Sequence, residues 1–332
     1  MSVTLLGPQR RPTVDRVVRS LDTDGHVATV TAGWQEREAD DGELDDQLDG
    51  RSVNLRLHER WGQVQERDPE LAAAVRRRRD ELQELRSTYL VRLAHALAAV
   101  QDLAPEAEAA ATAHADAYVG HGTDAADAHP TPRERRSTVR AEARARAIED
   151  ARRIDAEHLT LLDEHNDEFV ARWAPHERDA VAEHRAEVAT CIDGAAVLAL
   201  AGGHVGVLLA LVHLFAVDPP AGLPIVAWSA GAMVLTKQVV LFHDRTVQGP
   251  SDAEVYGRGL GVVGGVVLLP HARERLLLSD ADRMTVFRTR FAPVRCLPLE
   301  PGARVDITHE GALLSEASVL GVNGRLVSEV DG

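Results

Sequence analysis

The sequence predicts an α/β protein: a mostly parallel sheet with helices on both faces, an all-α helical insertion, and a C-terminal β-hairpin region. Three observations predict it. Short β-branched or leucine-rich runs alternate with helical periodicity near the start and again after residue 192. Residues 69–190 carry helical periodicity alone. From Pro293 onward, short strand-like runs are separated by turn residues. Alternation of strands and helices is the signature of a parallel sheet covered on both sides. The expected division is 1–66 for the first part of the α/β domain, 67–191 for the helical insertion, and 192–332 for the second part.

The elements follow in order. Val3–Leu6 reads as a strand, and Thr13–Leu21 as a helix with Val14, Val17, Val18 and Leu21 at helical spacing. His26–Thr31 and Val53–Leu57 read as the second and third strands. The polar, acidic stretch TAGWQEREADDGELDDQLDG between them is expected to be a loop at a strand's C-terminal end. Open α/β sheets place their sites at that edge. In the insertion, Leu71, Val75, Leu82, Leu85, Tyr89, Leu93 and Val100 recur at steps of three and four, with Arg78 breaking the stripe. This predicts a long amphipathic helix. Pro105 opens a shorter helix, and 120–132 (GHGTDAADAHPTP) reads as a turn or mobile loop. A second long helix carries Ile148, Ile154, Leu161, Leu162, His165 and Phe169, and Pro175 begins a last one leading to Cys191. Two long helices joined by a loop should pack antiparallel. At the C-terminus, Asn323–Gly324 marks a hairpin turn.

Ala195–Val217 is almost entirely apolar and about as long as a membrane span. Gly202, Gly203 and His204 interrupt it, however, and Pro219–Pro220 follow. A buried strand, a glycine turn and a buried helix explain it better. The opening residues lack the long apolar run and cleavage site of a signal peptide. With only two cysteines, Cys191 and Cys296, a disulfide scaffold is not expected, and a cytoplasmic location fits. The net charge of -15 argues against a nucleic-acid partner.

The chemistry points to residues 224–236, PIVAWSAGAMVLT. A buried strand ends at Trp228, small residues stand two before and two after Ser229 (Ala227 and Gly231), and helix formers follow. A serine on a sharp strand-to-helix turn needs such neighbours because the backbone passes close by. The bland alternative is a serine that caps a helix. A nucleophilic serine needs a base and a group to orient it. Asp244 and His271 both lie downstream at expected strand ends.

These motifs resemble the peptidase E and cyanophycinase family of serine peptidases, which have the class I glutamine amidotransferase-like fold. The likeness rests on WSAGAM, an Asp-containing segment and a strand ending in histidine. It extends to VTLLGPQ, VTAGWQERE and LALAGGH. It implies Ser229 as nucleophile, His271 as general base and Asp244 as the acid behind it. Backbone N–H groups of Gly203 and Ala230 would then hold the oxyanion. Serine at the elbow, where true glutamine amidotransferases carry cysteine, argues against release of ammonia from glutamine. The residues after the double glycine, His204-Val205-Gly206, differ from the polar groups usual there, and the helical insertion marks a divergent branch.

Trp34, Gln35, Glu36, Arg37 and His204 are expected to bind substrate, being at the active edge. His158, Asp163, Glu164, His165 and Glu168 cluster on one helix, but their spacing suits a solvated face better than a metal site. The glycines of 257–265 make no complete nucleotide fingerprint. The expected function is hydrolysis of an amide bond in a small peptide or peptide-like molecule, with no cofactor or metal and no membrane partner. A homodimer through the insertion is expected. The rival is a non-catalytic binding or scaffold protein on the same fold. An α/β-hydrolase esterase is disfavoured because its histidine normally lies near the chain end.

Overall fold

The computed structural model describes residues 3–9, 13–104, 131–244 and 251–331. The helix expected from Pro105 and nearly all of the turn expected at 120–132 lie outside the described residues. The strands are β1 (Val3–Leu6), β2 (Val27–Val30), β3 (Ser52–Asn54), β4 (Val197–Leu200), β5 (Ile225–Trp228), β6 (Gln238–Leu241) and β7 (Glu254–Arg258). They continue with β8 (Val266–Pro270), β9 (Arg295–Leu299), β10 (Arg304–Ile307), β11 (Ala317–Leu320) and β12 (Leu326–Glu329). Successive side chains of a strand point to opposite faces, and here both faces are apolar. Leu198 and Leu200 join one buried cluster, while Val197, Ala199 and Ala201 join another. That two-sided burial is what a parallel sheet between helix layers requires.

The chain is therefore a mixed α/β protein with a mostly parallel central sheet in the order β10-β1-β5-β4-β2-β3. Only β10 runs antiparallel, pairing with β1. Among the described residues, three smaller two-stranded sheets pair β6 with β7, β8 with β9, and β11 with β12. The last is an antiparallel hairpin turned at Asn323–Gly324, as expected.

On one face, α1 (Val14–Ser20) buries Val14, Val17 and Val18 against the smaller cluster. Two features differ from expectation. The stretch after β2 is not a plain loop: it holds a 3-10 turn (Ala32–Arg37) and α2 (Gly42–Gln47). The third strand is shorter than 53–57, because Arg56 turns into the left-handed region and Leu57 opens α3 (Leu57–Arg67). The start of α3 is satisfied from a distance, since a Glu38 carboxylate oxygen accepts from the His58 and Glu59 N–H groups. Unpaired N–H groups at a helix start need such a partner, and no local residue signals this one.

The apolar stretch 195–217 resolves into β4, a glycine turn and α7 (Val205–Leu214). No helix among the described residues is long and apolar enough to cross a membrane.

Contacts divide the chain into two compact units, Met1–Gln83 with Leu159–Gly332, and Glu84–His158. The long helices α4 (Pro69–Asp102) and α5 (Pro132–Trp173) contribute to both, and α6 (Asp179–Asp193) belongs to the first. Within the first unit, Arg78, which broke the apolar stripe, lies over the Phe169 ring at 4.7 Å and donates to Asn166. Within the second, α4 and α5 run antiparallel. Tyr89 donates to buried Asp155, Arg92 pairs with Glu157, and Arg144 donates to the Val100 carbonyl. His158, read from sequence as solvated, is instead buried and stacked on Tyr89 with ring centroids 4.1 Å apart. His165 pairs with Glu81, and Asp163 with Arg258.

Candidate active site

Ser229 joins β5 to α8 (Ala230–Val234) with φ 51° and ψ -121°. For a residue with a side chain this is sparsely populated backbone, and such strain persists only where surrounding structure imposes it. The glycines on either side show what imposes it. A Cβ on Gly231 would lie 2.2 Å from the Leu200 carbonyl oxygen, so the elbow can press against β4 only without a side chain there. A Cβ on Gly202 would come within 2.8 Å of the Ser229 Cβ, which places the glycine turn directly beside the serine. The hydroxyl does not cap the helix it precedes, so the bland reading of a capping serine is not what this geometry shows. Helix α8 itself has only five residues, so the local Ala230 N–H matters more than any helix dipole.

The carboxyl end of β2 meets the same turn. The His204 N–H donates to the Gly33 carbonyl at 2.8 Å. Two residues on, Gln35 holds φ 57° and ψ -126°, nearly the conformation of Ser229. Among the other candidates, Trp34 is half-buried and packs on the smaller core cluster, while Glu36 and Arg37 are exposed. His204 caps α7, its Nδ1 accepting from Val207 N–H at 3.2 Å. The structure thus brings together Ser229, the glycine turn with Gly203 and His204, and the Gly33–Gln35 backbone.

His271 stands at the end of β8, which forms a separate two-stranded sheet with β9. Trp228 pairs with Leu6. Gly7, next along, abuts the Glu300 backbone, and Leu299 pairs with Pro270. The His271 N–H then donates to the Leu299 carbonyl at 3.2 Å. Helix α8 packs against both β5 and β8. His271 takes left-handed backbone, φ 58° and ψ 34°, and opens the single turn α9 (Ala272–Arg275). Its Nδ1 lies 3.3 Å from the Glu274 carboxylate.

Asp244, implied above as the acid behind this histidine, is placed otherwise. It is buried, and both carboxylate oxygens accept from Arg283, at 3.0 and 2.6 Å. One also accepts from the Leu277 N–H, and the Asp244 N–H donates to the Arg275 carbonyl. Asp244 therefore anchors the segment after His271. Arg283 comes from α10 (Ala281–Arg290), whose part in the site no motif announced.

Tyr256 also escaped the sequence reading. It lies on β7, inside a glycine-rich run, and its hydroxyl would sit 2.4 Å from a Cβ on Gly206, in the first turn of α7 beside His204. Only the pairing of β7 with β6 brings it there.

Among the described residues no group of His, Cys, Asp or Glu is arranged to hold a metal ion. Cys191 and Cys296 are both free thiols, and burial pushes Cys296 up to about 12. An uncharged, enclosed thiol is a packing residue rather than a nucleophile.

Fold and site together define a mixed α/β protein with a serine on a strained strand-to-helix turn at the carboxyl edge of its sheet. No family model matches the chain, and no curated protein matches it. Among solved structures it is similar to the crystal structure of a peptidase from an acI-B1 Actinobacterium, at 15% identity and a TM-score of 0.30. That alignment covers 55% of this chain and 78% of the other. A likeness so distant carries no argument about activity.

Proposed function

We propose that the protein is a serine hydrolase that cleaves an amide bond in a small peptide or peptide-like molecule, on a class I glutamine amidotransferase-like fold related to peptidase E and cyanophycinase. The observation that carries the reading is the backbone of Ser229, strained at the end of a buried parallel strand with the glycine turn against its side chain. In this reading the Ser229 hydroxyl attacks the substrate carbonyl while His271 takes its proton. The Gly203 and Ala230 N–H groups receive the oxyanion. His271 then protonates the leaving amine, and water clears the acyl-enzyme by the reverse relay. Gln35 and His204 border the turn from the β2 and β4 sides and are the residues proposed to meet substrate.

The test is turnover. A panel of aminoacyl and dipeptidyl anilides should release amine with the full chain, and Ser229→Ala should lower the rate at least about a thousandfold. Equal turnover by the two proteins would remove the proposal.

A further inference from the structure

We propose that Glu38 is a positioning residue of this site: it locks the turn that carries Gln35 and so fixes that side chain where substrate is met. The inference rests on the hydrolase reading, in which Gln35 borders the glycine turn beside Ser229. A backbone at φ 57° and ψ -126° is costly for a glutamine and persists only where its surroundings impose it. At Ser229 the imposing contact is the packing of Gly231 on β4. At Gln35 it comes from both sides of the turn. On one side, the Gly33 carbonyl takes the His204 N–H, and a Cβ on Gly203 would lie 2.4 Å from that carbonyl. On the other side stands Glu38.

Glu38 holds the turn through its N–H, its carbonyl and its carboxylate. The N–H donates to the Gln35 carbonyl at 2.8 Å, so it closes directly on the strained residue. The carbonyl accepts from Asn54 Nδ2 at 3.1 Å, which ties it to the end of β3. The carboxylate takes the His58 and Glu59 N–H groups at the start of α3, at 2.8 and 2.9 Å. The residue is 3% exposed, so solvent does not compete for these bonds. A helix is ordinarily capped by the residue just before it. Arg56 stands there and offers no side-chain cap. The cap comes instead from the turn, and α3, an eleven-residue helix with Leu57 and Val64 buried, becomes the turn's anchor. Burial pushes the Glu38 carboxyl above the usual carboxylate range, against the pull of the helix N–H groups. Those N–H groups need an acceptor of the right reach, which a glutamine also supplies. Glu38 touches no reacting atom and acts through Gln35.

The experiment measures anilide turnover by the full chain, together with hydrogen exchange of residues 31–38 read by mass spectrometry. The proteins are wild type, Glu38→Ala, Glu38→Gln, Gln35→Ala, the double variant Gln35→Ala with Glu38→Ala, and Asp68→Asn. Loss of binding away from the reacting atoms raises KM and spares kcat. Glu38→Ala should raise KM about tenfold with kcat within about twofold, and exchange of 31–38 should quicken about tenfold. Glu38→Gln should stay near wild type in both. Gln35→Ala should raise KM to a similar extent, and adding Glu38→Ala to it should cost less than about a further twofold, since both act through one side chain. Asp68→Asn removes the cap of the next helix and should lower Tm without moving KM. An unchanged KM in a folded Glu38→Ala, a Glu38→Gln as impaired as Glu38→Ala, or fully multiplicative effects in the double variant would overturn the assignment. Should Glu38→Ala not fold, Glu38→Asp, one methylene shorter, carries the same test. Failure of the hydrolase reading is distinct: wild type would turn over no anilide, while unmoved exchange in the Glu38 variants would by itself overturn the tether.

Discussion

At the scale of single residues, the site is defined by backbone strain rather than by unusual side chains. Ser229 and Gln35 share a conformation that costs roughly 1–3 kcal/mol for a residue with a Cβ. Glycine adopts it without that cost, so Ser229→Gly should stabilise the protein by about 1–2 kcal/mol against urea while abolishing turnover. A destabilised Ser229→Gly would mean that the serine contributes more to packing than the elbow geometry implies. The serine was legible in the sequence because small residues two before and two after it announce a tight turn. Tyr256 was not, because only the pairing of β7 with β6 brings its hydroxyl against Gly206, in a segment far along the chain.

At the scale of elements, distant side chains decide how the pieces join. Asp68 begins α4 by accepting from the Leu71 N–H, and it also holds Arg178, the residue before α6. The entry and exit of the insertion's helices are thereby tied within one unit. The Arg178 guanidinium holds the Asp68 carboxyl below the usual carboxylate range. A depressed folded-state pKa means that the folded protein binds the proton less readily than the unfolded chain. The stability this pair contributes is therefore present above about pH 4, and it fades as acid titrates Asp68 through its lower, folded value. Asp68→Asn should lower the melting temperature at pH 7, and the gap to wild type should narrow as the pH falls below about 4. A gap independent of pH would show that capping, not charge, is the main contribution.

The elements themselves were largely readable. Apolar runs such as VTLL, VLAL and IVAW, each bounded by turns, identify strands on their own, and the hairpin at Asn323–Gly324 follows from its turn residues. The short helices α2 and α3 were missed for a reason. α2 is acidic and buries only Leu44, leaving no stripe to detect, and the cap of α3 comes from Glu38, some twenty residues earlier.

At the scale of the whole molecule, the carboxyl ends of β2, β4 and β5 form one clasp. A Cβ at Gly203 or Gly231 would collide with the backbone of the neighbouring strand end. That interlock holds Ser229 beside the glycine turn, and the pairing of β8 with β9 sets Pro270, the residue before His271, opposite Leu299. The sequence showed the stations along this edge but not their distances, because strand order is fixed by contacts among segments far apart in the chain. The 34-residue and 42-residue helices between β3 and β4 separate strands that nevertheless lie two places apart in the sheet, with β2 alone between them. The most direct test is mass-spectrometric mapping of the fluorophosphonate adduct. The account predicts one adduct, on the peptide bearing Ser229, formed about a thousandfold more slowly in His271→Ala. An adduct elsewhere, or one on Ser229 that forms as fast without His271, would contradict it.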